Sequence, residues 1–437
     1  MLSDDPGCNS GSLCCIFNTW KNLWFSEINR FFKTGSAESQ TESGKPDPIS
    51  FFTAIWKNKY TIWIILLLMA VNIYVMMMTY NPGWYPSNSY ILNHYLLSYE
   101  LTFMPRSLAG TVYQAMLNFM SPKTFFLLFL FFQLFLYLML TLYFHRCISQ
   151  NDFSSGPDFL FLSYLLLPST YMAFFDFGRL DIILLTLAFA AILLIRSRWR
   201  CALVLIPVMI TAGVLIHEVF WFFYVPTIFA WSVFYARRSD KKSFLLPVCV
   251  VLGCVVSLGL FFLMRKNMPG GGEIMAFMSG KNQLTHTSDS IMSFSMYAGD
   301  GVKPKSYLDH FNEVFFTTSA SMLNDLKASL AAFAVCIILP GWIFKKLFDA
   351  GRDRQEKLKT VLLFLASLSP LGLCVIAFDF GRWCTAAMWC VFLTLFSLLS
   401  VYHDRKISIP LGLMIFQIIL LAVLAMGKCT ELCFWRF

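Results

Sequence analysis

The sequence predicts an all-α, polytopic transmembrane helical bundle with about eleven spans, and three observations support this fold class. Hydrophobic residues make up 57% of the 437 positions and charged residues only 14%, well below the roughly 25% of a typical soluble domain. Apolar runs near the roughly 20 residues that cross a bilayer recur along the chain. These runs are continuous rather than alternating, which favours helices over a transmembrane barrel.

The apolar runs define the spans and the domains. Residues 1–50 are expected to form a cytoplasmic segment with an amphipathic helix over 16–32 that lies in the membrane interface, and 51–437 the polytopic domain. The predicted spans are 60–80, 124–145, 158–176, 180–195, 202–217, 219–235, 243–264, 328–344, 359–378, 384–402 and 407–426.

Basic residues orient these spans. They gather at alternate turns, for example at Arg196–Arg200 and Arg237–Lys242, which places the N-terminus in the cytoplasm and the C-terminus outside. Residues 81–123 and 265–327 then become two long loops at the outer face. We expect two short helices in the first loop, over Tyr90–Leu101 and Ser107–Met120. Connections of this length are usually functional.

The remaining composition excludes several classes of function. The net charge of +9 is explained by the orientation signal, so no nucleic-acid partner is expected. The 13 cysteines show no paired metal-binding spacing, and neither a metal centre, a cofactor nor a cleavable signal peptide is expected. A divalent cation on Glu218, Asp176 and Asp379 would still be compatible with oxygen ligation.

Charged residues are absent from the middle of the spans and collect at their outer ends. Several acids and arginines at one depth of a membrane protein are typical of a site for a charged or phosphorylated substrate. The candidate residues are Glu100, Arg106, Asp176, Arg179, Asp181, His217, Glu218, Asp379 and Arg382.

A four-residue sequence, Asp-Phe-Gly-Arg, occurs at 176–179 and again at 379–382, each time at the outer start of a span. The matched position predicts that Arg179 and Arg382 serve one pocket, with guanidinium groups within about 15 Å of each other. Chance duplication is the alternative. A structural alternative is also open, in which each arginine pairs with its nearest acid, Asp176 or Asp181 for Arg179 and Asp379 for Arg382.

The chemistry of these residue types suggests roles. Arg106, Arg179 and Arg382 are candidate phosphate ligands, because a guanidinium donates two parallel hydrogen bonds and keeps its charge. Pro105 is placed to begin a helix, with Arg106 in its first turn. Glu100 is the only acid of the first outer loop and therefore its candidate general base. Asp176 is the rival base, and the supporting residues are Asp181, His217, Glu218 and Asp379.

This layout resembles the C-type glycosyltransferase superfamily, whose members use lipid-phosphate-linked sugars. Those enzymes carry two short membrane-parallel helices in the first outer loop and often a long outer loop between spans seven and eight, where residues 81–123 and 265–327 fall. Serotype-modifying glucosyltransferases and O-antigen polymerases are similar at this level. The resemblance implies that an acid of the first loop is the catalytic base, hence Glu100. The usual acid is an Asp nearer to span one, and this chain departs from that pattern.

The function expected from the resemblance is transfer of a sugar from a lipid-phosphate carrier at the outer face of a bacterial inner membrane, in surface polysaccharide or lipopolysaccharide assembly. The expected partners are the lipid-linked sugar and membrane lipids. A polysaccharide polymerase is one alternative, and a transporter or lipid flippase is another. Transporters place polar residues near the bilayer midplane and show repeats of several spans, whereas this chain shows neither feature.

Overall fold

Helices form all of the regular structure that the computed structural model describes. The model describes residues 70, 74, 89–149, 160–161, 163–164, 177–197, 201–236, 241–266, 268–280, 320–375, 379–402, 407 and 409–426. Every regular element within these ranges is helical, which confirms the all-α class. The predicted interfacial helix over 16–32 and nearly all of span 60–80 lie outside the described residues.

The described helices follow most of the predicted runs, and span 158–176 lies almost wholly outside the described residues. A 3-10 helix over Ser369–Val375 lies between α11 and α12. The α-helices are α1 Ser89–Leu96, α2 Ser107–Leu117, α3 Pro122–Ser149, α4 Asp181–Ser197, α5 Ala202–Ile216, α6 Phe220–Phe223, α7 Val225–Tyr235, α8 Lys241–Lys266, α9 Gly271–Gly280, α10 Ala320–Asp349, α11 Arg354–Ser367, α12 Phe380–Val401 and α13 Leu411–Met426.

Four helices of the described chain are long and apolar enough to cross a membrane, and the protein is therefore a membrane protein. They are Pro122–Ile148, Phe244–Lys266, Leu323–Asp349 and Phe380–Val401. A fifth span is formed if α11 and the 3-10 helix, bent by 42°, count as one. The prediction of about eleven spans remains a prediction, because α5 and α7 are shorter apolar helices. At about 1.5 Å per residue, neither reaches across a hydrocarbon core of roughly 30 Å.

One predicted span is interrupted. Residues 219–235 form two helices, α6 and α7, with a break at Tyr224. Pro226 follows the break in the first turn of α7, where its missing N–H is tolerated because the first turn of a helix has no partners for its N–H groups. The segment predicted as a span over 219–235 is therefore not one continuous helix, and its crossing of the membrane stays a prediction.

Helix α12 forms the centre of the bundle. The most apolar stretch of α12 is 83% buried, whereas that of α8 is 22% buried. Helix α12 therefore lies inside the bundle and α8 at its periphery. Helices α3, α10 and α11 pack on α12, and α8 packs along α5. The face of α8 that these contacts leave exposed carries apolar side chains, as expected for a surface that meets lipid.

Two short helices precede α3, as predicted for the first loop. Helices α1 and α2 pack on each other, and Gly110 permits their close approach, because a Cβ at this position would overlap the carbonyl oxygen of Leu97. Leu97 and Met104, in the segment between the helices, pack in turn against Ile274 and Met278 of α9. The predicted loops 81–123 and 265–327 therefore contact each other, although their outer-face location remains a prediction.

We predict that Gly110→Ala destabilises the protein, because the added methyl group meets backbone that cannot move without separating α1 from α2. The midpoint of thermal unfolding in detergent should fall clearly below that of the unmodified protein. Gly259→Ala is the matched control, since Gly259 is also helical and has no atom within 4 Å of an added Cβ. There alanine should be neutral or stabilise by about 0.5–1 kcal/mol. Equal midpoints for both variants would contradict this packing.

Candidate functional site

Three arginine–carboxylate pairs form at helix ends within the bundle. Arg106 Nε donates to both carboxylate oxygens of Glu218, at 3.1 and 2.9 Å. Arg179 Nη1 lies 3.1 Å from Asp379 Oδ2. Arg382 binds Asp181 through two hydrogen bonds of 2.6 Å. These six side chains expose only 11–27% of their surface, so water screens the pairs far less than it screens surface ion pairs.

The two copies of the duplicated sequence are crossed in the structure. Arg179 of the first copy contacts Asp379 of the second, and Arg382 of the second binds Asp181 just after the first. Arg382 Nη1 also lies 3.7 Å from the same Asp379 Oδ2. The predicted proximity of Arg179 and Arg382 is therefore confirmed, because both approach Asp379. The alternative pairing of Arg382 with Asp379 is also observed. Arg179 acts electrostatically on Asp181, and Asp176, its other expected partner, lies outside the described residues. A role in phosphate binding stays a prediction.

The two copies of the Asp-Phe-Gly-Arg sequence adopt different backbone conformations. Gly178 has a φ of 92°, a left-handed value that glycine adopts without steric cost, and it ends a turn that precedes α4. Gly381 instead lies in the first turn of α12, and Asp379 is the N-cap residue of that helix. The first copy is tied to α1 by a hydrogen bond, in which the Tyr95 hydroxyl donates to the Gly178 carbonyl oxygen at 2.5 Å.

Arg106, directly before α2, has an unusual backbone conformation. It is the N-cap residue, one position before the helix, with φ 64° and ψ 6°, so the prediction that it lies within the first turn is wrong. A non-glycine residue in the left-handed region costs roughly 1–2 kcal/mol. The two-pronged contact with Glu218 holds the guanidinium in place and offsets this cost.

Two histidines lie beside the Arg106–Glu218 pair. His217 Nδ1 is 3.2 Å from Glu218 Oε2, and the ring of His94 is 5.8 Å from the ring of His217. His217 ends α5, so the His-Glu step occupies the break before α6. The Nε2 atom of His217 is buried and has no hydrogen-bond partner among the described residues.

Burial and the arginines keep these imidazoles neutral. Burial lowers the pKa of His217 to about 4; Glu218 opposes this shift and Arg106 adds to it. Burial also lowers the pKa of His94 well below its usual range, and the neighbouring His217 acts in the same direction. Burial alone would raise the pKa of Glu218, but Arg106 and His217 outweigh it and hold that pKa well below its usual range. Glu218 is therefore an anion and His217 neutral at pH 7.

The remaining sequence-predicted residues are placed differently. Glu100 is exposed in the turn after α1, between the two short helices. Asp176 lies outside the described residues, and its role as the rival base stays a prediction. Within the described ranges, no group of three or more His, Cys, Asp or Glu side chains is arranged to hold a metal ion. Glu218 and Asp379, proposed as cation ligands, are engaged by arginines instead.

His94 is the site residue that the sequence reasoning did not identify. It belongs to α1, in an Asn-His-Tyr step whose three side chains are all buried. The run of three polar or aromatic residues between apolar positions of this short helix was the available signal. Because α1 is too short to show a clear period, the pattern alone does not distinguish a buried face from an exposed one.

No protein-family model, no curated protein and no solved structure matches this chain.

We predict that Arg106→Met and Glu218→Met each cost about 3–5 kcal/mol, because each leaves one buried charge without its partner. The double variant should cost less than either single variant. Chemical unfolding in detergent micelles measures both effects in one double-mutant cycle. The matched control is the exposed pair Lys345–Asp349 of α10, at 3.4 Å, where removing either partner should cost at most about 0.5 kcal/mol. Additive losses at Arg106 and Glu218 would rule out the pairing.

We predict that the native state loses stability as the pH falls from 6.5 toward 4. His217 binds a proton with a pKa near 6.5 when unfolded and near 4 when folded, so the unfolded state takes up more protons in this window. The midpoint of thermal unfolding should decrease across it, and His217→Gln should flatten the decrease. A wild-type midpoint that is constant from pH 6.5 to 4.5 would mean that His217 is not buried neutral.

Proposed function

We propose that this protein is an integral-membrane glycosyltransferase that acts on a lipid-phosphate-linked sugar during surface polysaccharide assembly, at the outer face of a bacterial inner membrane. The single observation that carries the proposal is the convergence of three arginines at helix ends. Arg179 and Arg382 both approach Asp379, and Arg106 and Arg382 both act on His217. Charges in such positions are costly and are retained in membrane proteins chiefly for function.

The arginines suit the phosphate of such a donor. Sugar transfer breaks the bond between the anomeric carbon and the phosphate oxygen, so a phosphodiester with one negative charge becomes a phosphomonoester that gains a second. Guanidinium groups that already lie in place stabilise the growing charge without reorganisation. Carboxylate pairing supports this role, because the fork that binds Glu218 or Asp181 has the geometry that also binds phosphate oxygens.

Glu100 is the proposed general base. It lies in the exposed turn between α1 and α2, only six positions before Arg106, where an acceptor arriving from water would meet it. Its carboxylate takes the proton of the acceptor hydroxyl while the hydroxyl oxygen attacks the anomeric carbon. The segment around it packs against α9, which begins the predicted second loop, and we propose that this loop holds the acceptor glycan.

A transporter or flippase is the second candidate, and one observation favours it. Helix α11 and the following 3-10 helix form a bent pair, and discontinuous helices of this kind are typical of transporter substrate sites. Purified protein in liposomes separates the two functions. A transporter moves a labelled lipid-phosphate-linked sugar across the bilayer intact, whereas a transferase breaks its sugar–phosphate bond.

We predict that deletion of the gene removes or alters a sugar of the surface glycan, as measured by gel profile and mass spectrometry. Complementation with Glu100→Gln should restore transfer at a rate roughly 10²–10⁴-fold below that of the wild-type gene, because the base is gone while the shape is kept. Arg106→Lys should also reduce transfer, since an ammonium cannot form the planar fork.

Two controls accompany this experiment. Asp349→Asn, which changes an exposed acid at the end of α10, should restore full activity. Asp176→Asn separates the rival bases: loss of activity there, with Glu100→Gln nearly silent, would move the base to the duplicated sequence. A normal glycan in the deletion strain, or full activity in every variant with normal protein accumulation, would overturn the transferase function.

A further inference from the structure

One carboxylate oxygen is shared by a guanidinium and an imidazole. Oε2 of Glu218 accepts a hydrogen bond from Arg106 Nε at 2.9 Å and lies 3.2 Å from His217 Nδ1. The three side chains come from two separate parts of the chain, the start of α2 and the break between α5 and α6. Glu218 is therefore positioned to pair with either cation, Arg106 or a protonated His217.

The balance of charge limits what this cluster can bind. Arg106 and Glu218 neutralise each other, and His217 carries no charge at pH 7. An added anion would place an uncompensated negative charge among side chains that are largely buried, which is costly in a medium of low dielectric constant. Binding therefore requires either a carboxylate that leaves or a proton that arrives.

We propose that binding of a phosphodiester anion at Arg106 is coupled to proton uptake by His217. The anion takes the guanidinium fork from Glu218, and Glu218 pairs instead with the Nδ1–H of a protonated His217. Each negative group then faces one positive group, as before binding. The inference rests on the proposed function only for the choice of a phosphodiester as the ligand.

The surroundings of His217 favour this residue as the proton acceptor. Its Nδ1 faces Glu218, whereas Nε2 is buried without a partner among the described residues and gains one if a bound ligand reaches it. The backbone N–H of Val219 also donates a hydrogen bond to Nδ1, at 3.3 Å. This bond requires an unprotonated Nδ1 and so stabilises the neutral imidazole while no anion is bound. The charged and titratable side chains that act on His217 come from its own segment, α1, α2, α4 and α12, and they are Glu218, His94, Arg106, Asp181 and Arg382.

The test measures binding of two phosphodiesters to the full chain in dodecyl maltoside, a neutral detergent that contains no phosphate. Diethyl phosphate represents a free phosphodiester and ethyl dodecyl phosphate a lipid-anchored one. Both keep a single negative charge between pH 5.5 and 7.5, so any proton taken up goes to the protein. The dissociation constant should fall by up to about tenfold per pH unit as the pH decreases, as expected for one linked proton.

Calorimetry in two buffers of different ionisation enthalpy gives the proton count directly. Uptake close to one proton per bound anion supports the proposal, and zero uptake overturns it even if no variant can be purified. His217→Gln should remove the pH dependence, whereas the control His145→Gln, on α3, should keep it. Arg106→Gln should abolish binding. A pH dependence that survives in His217→Gln overturns the assignment.

The two probes also identify the source of the ligand. Tight binding of the dodecyl compound alone supports a lipid-linked ligand, and binding of both supports a headgroup that is recognised without its chain. Failure of both to bind overturns the proposal. Proton-linked binding in a protein whose deletion leaves the surface glycan unchanged would sustain the anion site and overturn the glycosyltransferase function alone.

Discussion

Charge neutralisation at the ends of apolar helices is the constraint on which the rest of this structure depends. A guanidinium or carboxylate that leaves water is destabilising unless a partner is close, and here the partners come from distant parts of the chain. The crossed pairs join the turn before α4 and the start of α4 to the start of α12, and Arg106 joins α2 to the end of α5. These contacts fix which helix ends meet and leave little freedom in how the bundle is assembled.

The cluster is balanced pair by pair, which matters for what it can do. Net-neutral sites bind anions weakly until a proton or a displaced carboxylate restores the balance. The two neutral imidazoles next to Arg106 are the groups that can restore it, because Glu218 holds one of them at hydrogen-bond distance. Under the proposed coupling, an anion binds at this site by charge exchange rather than through a standing excess of positive charge.

Much of the fold could be predicted from the sequence. The long apolar runs located α3, α8 and α12 within about four residues and α10 within eight, because hydropathy in a membrane-spanning helix is a strong and continuous signal. The break at Tyr224 was missed because an apolar run shows length but not backbone continuity. Glu218 was identified as a candidate, but its pairing with Arg106 could not be, since two residues 112 positions apart share no local pattern. The duplicated sequence correctly indicated that Arg179 and Arg382 lie together. Their pairing with Asp379 and Asp181 depends on how the helices pack, which a four-residue pattern does not reveal.

The distance along the chain between the crossed partners affects how the protein is made. Arg179 and Asp379 are 200 positions apart, and Asp181 and Arg382 are 201 apart. At about 5–20 residues per second, a ribosome needs roughly 10–40 s to travel between them. During that interval Arg179 and Asp181, at the start of α4, lack their final partners, and water at the helix end must solvate their charges. The arrival of α12 fills the centre of the bundle and neutralises those charges in one step. The part of the chain from Asp379 onward therefore completes the charge pairing of the segment at the start of α4, although it is among the last to be synthesised.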